Sequence, residues 1–371
     1  MDRMDRIWGA PPWRRENAAA RQLKASAWPE VAVIGGGLTG ASAAYHLARR
    51  GLRTILLEAG SLGDGASGRT GGLALEGVAA GVVEGASDCL STLAAIVREE
   101  RIECGLSLPG CWEIAHRGDG VELPWNDEGG RLRILRTVAG GTVDPAALLF
   151  GLLRAALRSG AEVYERTPVL RIATRPAPAL EVSGATINPG AVVVAANAWI
   201  GELMPPVRAR MRSALTFACA TERLGPDALI AIGFESGLPF YTVDTPYLWG
   251  RTTADGQAIF GSGLVYGAAA RLERIDVGAG EAKLALDRLE ARVRGLNPTL
   301  ARIRIVARWA GPIGITDDHR PILCRMPGAP ATLIAGGYSG HGVAMSVTAG
   351  RMAAEAIADG APLPAWGALL R

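Results

Sequence analysis

The stretch VAVIGGGLTG, residues 31–40, decides the fold. Its first half, residues 31–35, is a short apolar run of mostly β-branched side chains that stops at glycine, as buried parallel strands do. Residues 38–50 follow with apolar side chains at helical spacing, and Gly51 suits the position just past a helix end. A second apolar run, RTILLE at 53–58, predicts another buried strand. These residues together predict one strand–helix–strand unit with a right-handed crossover.

The glycines of this stretch form the pattern G-x-G-x-x-G at Gly35, Gly37 and Gly40. In dinucleotide-binding folds the first glycine permits a tight turn, the second lets a pyrophosphate approach the backbone, and the third lets the helix pack on the strand. Glu58 ends the second predicted strand, where a carboxylate would hydrogen-bond a ribose hydroxyl and disfavour a 2′-phosphate. This arrangement predicts dinucleotide binding, and a purely structural glycine turn is the alternative.

A second glycine-rich loop, GDGASGRTGG at 63–72, follows closely after Glu58. Its small residues would let the backbone run close to a pyrophosphate and a flavin ring, with N–H groups and the Ser67 hydroxyl in contact with phosphates. A nicotinamide dinucleotide has no need of a second phosphate-contacting loop here, whereas the longer FAD does. The loop therefore favours FAD, and a flexible surface turn with a solvated Arg69 is the alternative.

A third junction of this kind, GGYSGHGVAMS at 336–346, lies between a predicted strand at 332–337 and a predicted helix at 342–360. A helix N-terminus stabilises negative charge. A reduced flavin carries such charge on its pyrimidine side, so this helix start would favour hydride acceptance. His341 lies in this loop, either as a loop histidine bonded to the backbone or as a proton shuttle.

Segments typical of a nucleotide-binding α/β fold come at the start, middle and end of the chain. Between them, residues 206–304 alternate polar and apolar side chains, which predicts a mostly antiparallel sheet. The predicted class is α/β, with a Rossmann-like FAD-binding domain (a parallel sheet with helices) interleaved with an α+β substrate domain built on that antiparallel sheet. The expected segments are 1–27 as an N-terminal arm, 28–80, 140–205 and 305–371 as the FAD-binding domain, and 81–139 and 206–304 as the substrate domain. Further helices are predicted near 88–100, at 145–159 with Thr142 or Asp144 as N-cap, and near 279–294.

The composition bounds the function classes. Hydrophobic residues make up 49% of the 371 residues, enough for a large core, and a formal net charge of +3 with dispersed basic residues argues against nucleic-acid binding. The five cysteines form no CxxC pair, which argues against disulfides or a zinc site and fits a reducing, cytoplasmic compartment. The first 27 residues predict neither a secretory signal nor a membrane span. They form either a surface arm with Trp8 and Trp13 docked on the body or a partly ordered tail.

The motifs GGGLTG, LLEAG, GASGRTGG, VDPAALL, VVVAANAW, RWAGPIGITDDHRP and AGGYSGHGV, in this order, resemble the D-amino-acid oxidase-like family of FAD-dependent oxidoreductases. Glycine oxidase, sarcosine oxidase and D-amino-acid dehydrogenase belong to this family. The match spans roughly residues 30–360. The GASGRTGG and ANAW variants and the Trp-containing arm are most similar to its gamma-glutamylputrescine oxidoreductase branch.

The resemblance implies a set of cofactor-binding residues along one FAD molecule. They are Gly35, Gly37, Leu38, Thr39, Gly40, Glu58, Ala59, Ala66, Ser67, Arg69, Thr70, Gly71, Gly72, Val169, Ala196, Gly337, Tyr338, Gly340, His341 and Gly342. The expected catalytic residues are Arg251, His341 and Tyr338. Arg251 is expected to face the flavin or an acidic substrate, and a cation at the edge of a strand is the alternative. Tyr241, Tyr247 and Trp249 are further pocket candidates, and Asp318 is expected to form a turn. No metal site is expected.

Three departures from the family pattern carry information. Residues 69–73 contain no His and residues 309–315 contain no Cys, which in some relatives tether the flavin, so FAD is expected to bind non-covalently. Residues 343–345 contain no Lys, which weakens a simple N-methyl amino acid as substrate.

The reaction that the resemblance implies is oxidation of the C–N bond of an amine or amino acid by hydride transfer to flavin N5, followed by imine hydrolysis. Either O₂ or an electron carrier is the expected acceptor, and an oligomeric state stays open. Two alternatives are an FAD-dependent 2-hydroxy-acid dehydrogenase of the same fold and a flavin-binding, electron-relaying subunit of a larger complex.

Overall fold

The structure is a computed structural model that describes residues 3–14, 16, 20–23 and 25–369. In chain order, the strands within these residues are β1 Val31–Ile34, β2 Thr54–Leu57, β3 Leu73–Leu75, β4 Cys111–Ala115, β5 Val121–Asp127, β6 Gly130–Val138, β7 Gly140–Thr142, β8 Glu162–Tyr164, β9 Val169–Ala173, β10 Ala179–Val182, β11 Ala185–Ile187, β12 Ala191–Val194, β13 Met211–Arg223, β14 Phe240–Thr242, β15 Trp249–Thr252, β16 Gln257–Tyr266, β17 Ile305–Thr316, β18 Ile322–Met326 and β19 Ala329–Gly336. The α-helices are α1 Arg3–Trp8, α2 Leu38–Arg49, α3 Cys89–Glu99, α4 Pro145–Arg158, α5 Ile200–Leu203, α6 Pro226–Ala231, α7 Ala269–Leu272, α8 Gly280–Leu296 and α9 Gly342–Ala358.

The first sheet has the strand order β18-β19-β12-β1-β2-β8. Strand β1 lies between β12 and β2 and runs parallel to both. Strands β19 and β8 continue the parallel arrangement, and β18 is added antiparallel at one edge. The predicted strand–helix–strand unit is confirmed, with β1, α2 and β2 within one or two residues of the expected bounds. The four residues of β1 and of β2 are all buried, as expected for parallel strands covered on both faces.

Helices α2 and α9 pack closely against each other beside this sheet. A methyl group added at Gly350 of α9 would lie 2.5 Å from the Thr39 carbonyl oxygen of α2. At the same contact the Ser42 hydroxyl donates a hydrogen bond of 2.7 Å to the Val347 carbonyl oxygen. This contact brings the first and the last glycine-rich junctions of the sequence side by side, because each junction opens one of these two helices.

Helix α4 begins as its sequence predicts. The Asp144 carboxylate accepts hydrogen bonds of 2.9 Å from the backbone N–H groups of Ala146 and Ala147, and Pro145 occupies the first helical position. Of the two candidate N-caps, Asp144 is therefore the one used. An N-cap of this kind stabilises a helix by about 1 kcal/mol.

The largest sheet has the strand order β17-β13-β16-β15-β14-β4-β6-β5 and is antiparallel except where β14 pairs with β4. Helix α8 covers one of its faces through buried leucine and valine side chains. Strand β17 pairs along its length with β13, so residues 305–316 belong to this sheet. The sequence grouped this strand with the FAD-binding segments, because such long-range pairing leaves no local signal.

The first described residues lie against the protein body. Trp8 is 1% exposed and Trp13 is 9% exposed, so both indole rings are docked, as one of the two expectations for the arm has it. Other residues of the expected arm, namely 1, 2, 15, 17–19 and 24, lie outside the described residues. All five cysteines are free thiols.

None of the helices in the described ranges is long and apolar enough to cross a membrane. Over the same ranges, no group of three or more His, Cys, Asp or Glu side chains is arranged to hold a metal ion.

Candidate cofactor-binding site

A cavity of about 760 Å³ lies at the carboxyl ends of β1 and β2, between these strands, the start of α9 and the edge of the large sheet. The carboxyl end of a parallel sheet is where α/β folds bind ligands. All three glycine-rich junctions of the sequence contribute to its wall. Predicted cofactor-binding residues in the lining are Gly35, Gly37, Leu38, Thr39, Glu58, Ala59, Ala66, Ser67, Thr70, Val169, Ala196, Tyr338, Gly340 and Gly342.

The first junction needs its glycines for the reasons that the motif predicts. Gly35 has a φ of +106°, and an added methyl group there would lie 2.7 Å from the Ala195 carbonyl oxygen. A methyl group at Gly40 would collide with the carbonyl oxygen of Gly35, so Gly40 lets α2 approach β1 but does not itself line the cavity. Gly37 is the N-cap of α2 and has no side chain to satisfy the first N–H groups of the helix. Leu38 N–H is bonded to the Ser67 hydroxyl, and the remaining N–H groups of the first turn, together with the helix dipole, favour an anion at this part of the cavity.

The Glu58 carboxylate is held by the two loops that it joins. One carboxylate oxygen accepts a hydrogen bond of 2.8 Å from Gly36 N–H, and the other accepts one of 2.9 Å from Gly60 N–H. Burial raises the pKa of Glu58, while these two N–H groups act in the opposite direction. Each carboxylate oxygen has two lone pairs, so Glu58 can still accept a hydrogen bond from a ribose hydroxyl.

The second junction places its residues on two sides of one loop. Ala66, Ser67 and Thr70 face the cavity, and the Ser67 hydroxyl accepts a hydrogen bond of 2.9 Å from Leu38 N–H at the start of α2. Gly71 and Gly72 do not reach the cavity. Added methyl groups on them would collide with the Trp249 ring and the Val143 carbonyl oxygen, respectively. These two glycines therefore serve protein packing.

Arg69 differs most from its predicted place along the pyrophosphate. Its side chain is fully buried and points away from the cavity. The guanidinium donates hydrogen bonds of 2.9 Å to Asp64 O and 2.6 Å to Gly9 O, and it forms an ion pair of 2.6 Å with Asp5. Arg69 thus binds the N-terminal residues instead of a phosphate, and it is not the solvated cation of the alternative either.

The third junction closes the other end of the cavity. Tyr338, Gly340 and Gly342 line it, and the buried Tyr338 hydroxyl shares a hydrogen bond of 2.7 Å with the Thr39 hydroxyl of α2. Gly337, with a φ of +78°, packs instead on the Thr316 methyl group outside the cavity. The start of α9 therefore directs its N–H groups and its dipole toward this end of the cavity.

His341 faces the large sheet. Its ring lies edge-on to the Tyr241 ring, with the ring centres 6.1 Å apart, and the Tyr241 hydroxyl donates a hydrogen bond of 2.9 Å to Glu113. The His341 Nδ1 atom is buried and finds no hydrogen-bond partner among the described residues. Burial, with a contribution from His319, lowers the pKa of His341 to about 4, so the imidazole is neutral at pH 7. One expectation had this side chain bonded to the backbone, but no such bond of Nδ1 is found within the described ranges.

Arg251 does not reach the cavity either. It is 6% exposed, and its guanidinium donates hydrogen bonds of 2.7 Å to Val143 O and 3.2 Å to Gly71 O. It also stacks over the Trp13 ring at 5.4 Å. Burial lowers the pKa of Arg251 to about 10. The expectation that Arg251 faces the flavin or the substrate therefore finds no support, because its side chain lies outside the cavity lining and its Nε and Nη1 groups donate to backbone carbonyls.

The other pocket candidates of the large sheet are held by protein contacts. The Tyr247 hydroxyl hydrogen-bonds the Thr216 hydroxyl at 2.6 Å, and the Trp249 ring packs on Gly71. Asp318 lies in the expected turn, where its carboxylate accepts a hydrogen bond of 3.1 Å from Arg320 N–H.

Sequence reasoning missed part of the cavity wall. Arg166, Asn197 and Ser339 line it and are three of the five non-glycine residues with positive φ in the described chain. Such strained residues cluster at functional sites, but sequence alone does not reveal their φ. The Asn197 side-chain oxygen accepts a hydrogen bond of 3.0 Å from Gly337 N–H and so joins the middle of the chain to the third junction. The signal that could have found Asn197 is the ANAW motif, of which only Ala196 was chosen.

The cavity fits an extended dinucleotide. Its volume falls in the range of small-molecule sites, and two helix starts that favour negative charge lie in its wall. A glycine-lined turn allows close approach of a pyrophosphate at one end, and Glu58 provides the ribose acceptor beside it. Beside the third junction, the His341 Nδ1 atom lies outside the cavity lining and has no hydrogen-bond partner among the described residues.

The sequence profile of the DAO family, described as FAD dependent oxidoreductase, matches residues 30–356. The chain is 30% identical to gamma-glutamylputrescine oxidoreductase of Escherichia coli, over 88% of this chain and 83% of that protein. It is 29% identical to the probable oxidoreductase OrdL of Rhizobium meliloti, over 88% of this chain and 82% of that protein. The first of these relatives carries the name of the branch that the GASGRTGG motif indicates.

Solved structures agree with this assignment at the level of the fold. Glycine oxidase from Geobacillus kaustophilus superposes with a TM-score of 0.72 at 20% identity, covering 93% of this chain and 99% of that chain. The predicted fold class and the FAD cofactor are thereby confirmed. This protein belongs to the DAO family of FAD-dependent oxidoreductases and is an oxidoreductase of the amine and amino-acid oxidase type.

Proposed function

We propose that this enzyme oxidises the C–N bond of a small amine or amino acid, with hydride transfer to N5 of non-covalently bound FAD and hydrolysis of the released imine. The observation that carries the proposal is the convergence of the three glycine-rich junctions on one cavity that ends against the large sheet. The names of two relatives, gamma-glutamylputrescine oxidoreductase and glycine oxidase, point to compounds that contain an amine.

Residues of this chain would hold the cofactor along its length. The start of α2 and Glu58 would bind the pyrophosphate and the adenosine ribose, and the start of α9 would stabilise negative charge at the ring end. The hydrogen bond between the Thr39 and Tyr338 hydroxyls links the start of α2 directly to the loop that precedes α9, which fixes these two parts of the cavity wall relative to each other. Such preorganisation reduces the reorganisation needed during the reaction.

We place the substrate end beside the third junction, where His341 packs against Tyr241 next to the cavity-lining residues Gly340 and Gly342. A neutral imidazole with an unpartnered Nδ1 accepts a hydrogen bond from an amine N–H. The reacting amine must be neutral for hydride loss, and a buried site that accepts but does not protonate favours that form. With a pKa of about 4, His341 is suited to orienting the amine, and not to storing its proton at pH 7.

The positions of Arg69 and Arg251 bear on the charge of the substrate. Arg69 and Arg251 are both buried, and both donate to backbone carbonyls, so neither is free to bind a substrate carboxylate. The Tyr241 ring that packs on His341 also donates a hydrogen bond from its hydroxyl to Glu113. This arrangement supports an amine substrate more strongly than an acidic substrate whose carboxylate would bind Arg251.

The test is an anaerobic screen of the purified flavoprotein. Amines, both enantiomers of amino acids, and 2-hydroxy acids are mixed with it separately while the visible absorbance of the flavin is followed. Bleaching by amines or amino acids is the expected result. Bleaching by hydroxy acids alone would select the hydroxy-acid dehydrogenase, and no bleaching by any compound would select the electron-relaying subunit. Admitting O₂ to the bleached enzyme then distinguishes an oxidase from a dehydrogenase that needs a carrier.

A further inference from the structure

The N-terminal residues form part of the cavity wall. We call residues 3–14 the docked segment. Met4 and Trp8 of this segment line the cavity, next to Trp199 and Glu273. The Trp8 ring lies 6.3 Å from the Trp199 ring, and the Trp199 indole N–H donates a hydrogen bond of 2.6 Å to Glu273. The cavity is therefore bounded on this side by a segment that precedes the dinucleotide-binding fold in the sequence.

Arg69 ties the docked segment to the second glycine-rich loop. The guanidinium is fully buried, forms the ion pair with Asp5, donates to Gly9 O and lies 5.6 Å from the centre of the Trp8 ring. A buried guanidinium needs such partners, because removing one leaves an uncompensated charge. The same loop faces the cavity through Ala66 and Ser67, so the ion pair acts on a loop that lies directly on the cofactor cavity.

Further contacts hold the docked segment at both of its ends. The Trp13 indole N–H donates a hydrogen bond of 2.9 Å to Thr70 O, in the cavity-lining loop. On the opposite side the Trp8 indole N–H donates a hydrogen bond of 3.0 Å to Leu272 O at the end of α7. Val277 N–H donates one of 2.9 Å to Ile7 O. The docked segment thus crosses from the glycine-rich loop to the region of the large sheet.

From this geometry we infer that the docked segment is a clamp that retains the dinucleotide, with Asp5 and Arg69 as its positioning residues. The segment closes a wall that the two glycine-rich helix starts leave open, and the Asp5–Arg69 ion pair fixes the loop that touches the cofactor. Loss of the ion pair should leave both the docked segment and the second glycine-rich loop less firmly positioned, so the cofactor would dissociate faster. The inference depends on the FAD cavity and not on the identity of the substrate.

The test uses the full-length holoenzyme and the variant Asp5→Asn. We expect FAD release after dilution, followed by the rise in flavin fluorescence, to become about tenfold faster or more, with a dissociation constant raised to match. Asp5→Glu should restore part of the wild-type retention. The matched control is Glu16→Gln, which breaks the exposed ion pair of the same arm with Arg154 and should leave FAD release unchanged.

Thermal unfolding measured at saturating FAD distinguishes an effect on FAD retention from an effect on protein stability. If Asp5→Asn lowers the unfolding temperature there and leaves FAD release unchanged, the segment serves folding alone and the inference is wrong. If Asp5→Asn does not fold, Trp8→Phe replaces it, since this variant keeps an aromatic ring in the wall and loses the hydrogen bond to Leu272 O. If the variant that folds releases FAD as slowly as the wild-type protein does, the proposal is overturned. A failure of every amine to bleach the flavin would leave these measurements unaffected, since they contain no substrate.

Discussion

The substitution Gly40→Ala adds one methyl group at the closest approach of α2 and β1. That methyl group would collide with the carbonyl oxygen of Gly35 and lie 3.3 Å from the Val33 side chain. Gly40 lies inside α2, so alanine is not strained in its backbone there. The effect must therefore come from overlap, which only a movement of the helix away from the strand can relieve.

The expected magnitude follows from this overlap. Forcing a methyl group into a packed interior costs about 1–3 kcal/mol. The helix that moves carries the N–H groups at the cavity, so the displacement also disturbs the expected pyrophosphate site. A binding loss of the same size would raise the FAD dissociation constant by about five- to two-hundredfold.

The assay is FAD titration of the variant by flavin fluorescence, combined with denaturant unfolding. The control is Gly160→Ala, at a glycine with a φ of +98° and no atoms within 4 Å of the added methyl group. The control should lose about 1–2 kcal/mol of stability through backbone strain and keep its affinity for FAD. If Gly40→Ala binds FAD as tightly as Gly160→Ala does, the assigned role of this glycine is incorrect.

Three further outcomes are expected. Gly295→Ala, in the exposed last turn of α8 where an added methyl group meets no atom within 4 Å, should stabilise the protein by about 0.5–1 kcal/mol in denaturant unfolding. Arg251→Lys should destabilise the protein by about 2–3 kcal/mol, because one ammonium cannot replace the hydrogen bonds to several carbonyls. The same substitution should change KM for acidic and neutral substrates equally. A rise in KM for acidic substrates alone would contradict the structural role of Arg251. The pKa of His341 lies near 4 in the folded protein and near 6.5 in the unfolded chain. Between these pH values the unfolded chain therefore binds more protons than the folded protein does. The free energy of unfolding should consequently fall as the pH drops from about 6.5 to 4. The stability of the His341→Gln variant, measured by thermal unfolding, should fall less steeply over that pH range. A slope equal to that of the wild-type protein would exclude His341 as a cause of the pH dependence.

Local patterns of the sequence predicted the elements that depend on near neighbours. The turn at Gly35, the acid Glu58 and the cap at Asp144 each find their contacts through short segments of regular geometry. The glycine pattern also located the cavity, because close backbone approach is a requirement that only glycine meets. These parts of the site follow from composition and spacing without knowledge of the tertiary structure.

The buried arginines could not be placed in this way. Arg69 bonds to a carbonyl 60 positions away, and Arg251 bonds to one 180 positions away. A carbonyl acceptor is present at every residue, so nothing in the sequence marks which ones a guanidinium will meet. A family pattern likewise preserves the presence of an arginine without stating which way its side chain points. The pairing of β17 with β13 was missed for the same reason, since strand partners are chosen by tertiary contacts.

The two helix starts that form the ends of the cavity come from opposite ends of the chain. Helix α2 follows β1, whereas α9 follows β19, which comes after all the other strands of the described residues. A nascent chain therefore exposes the adenosine half of the cavity well before the ring half exists. FAD can be held by both helix starts only once α9 has been synthesised, and a protein that ends before α9 would lose the support of the flavin ring together with the packing of α9 on α2.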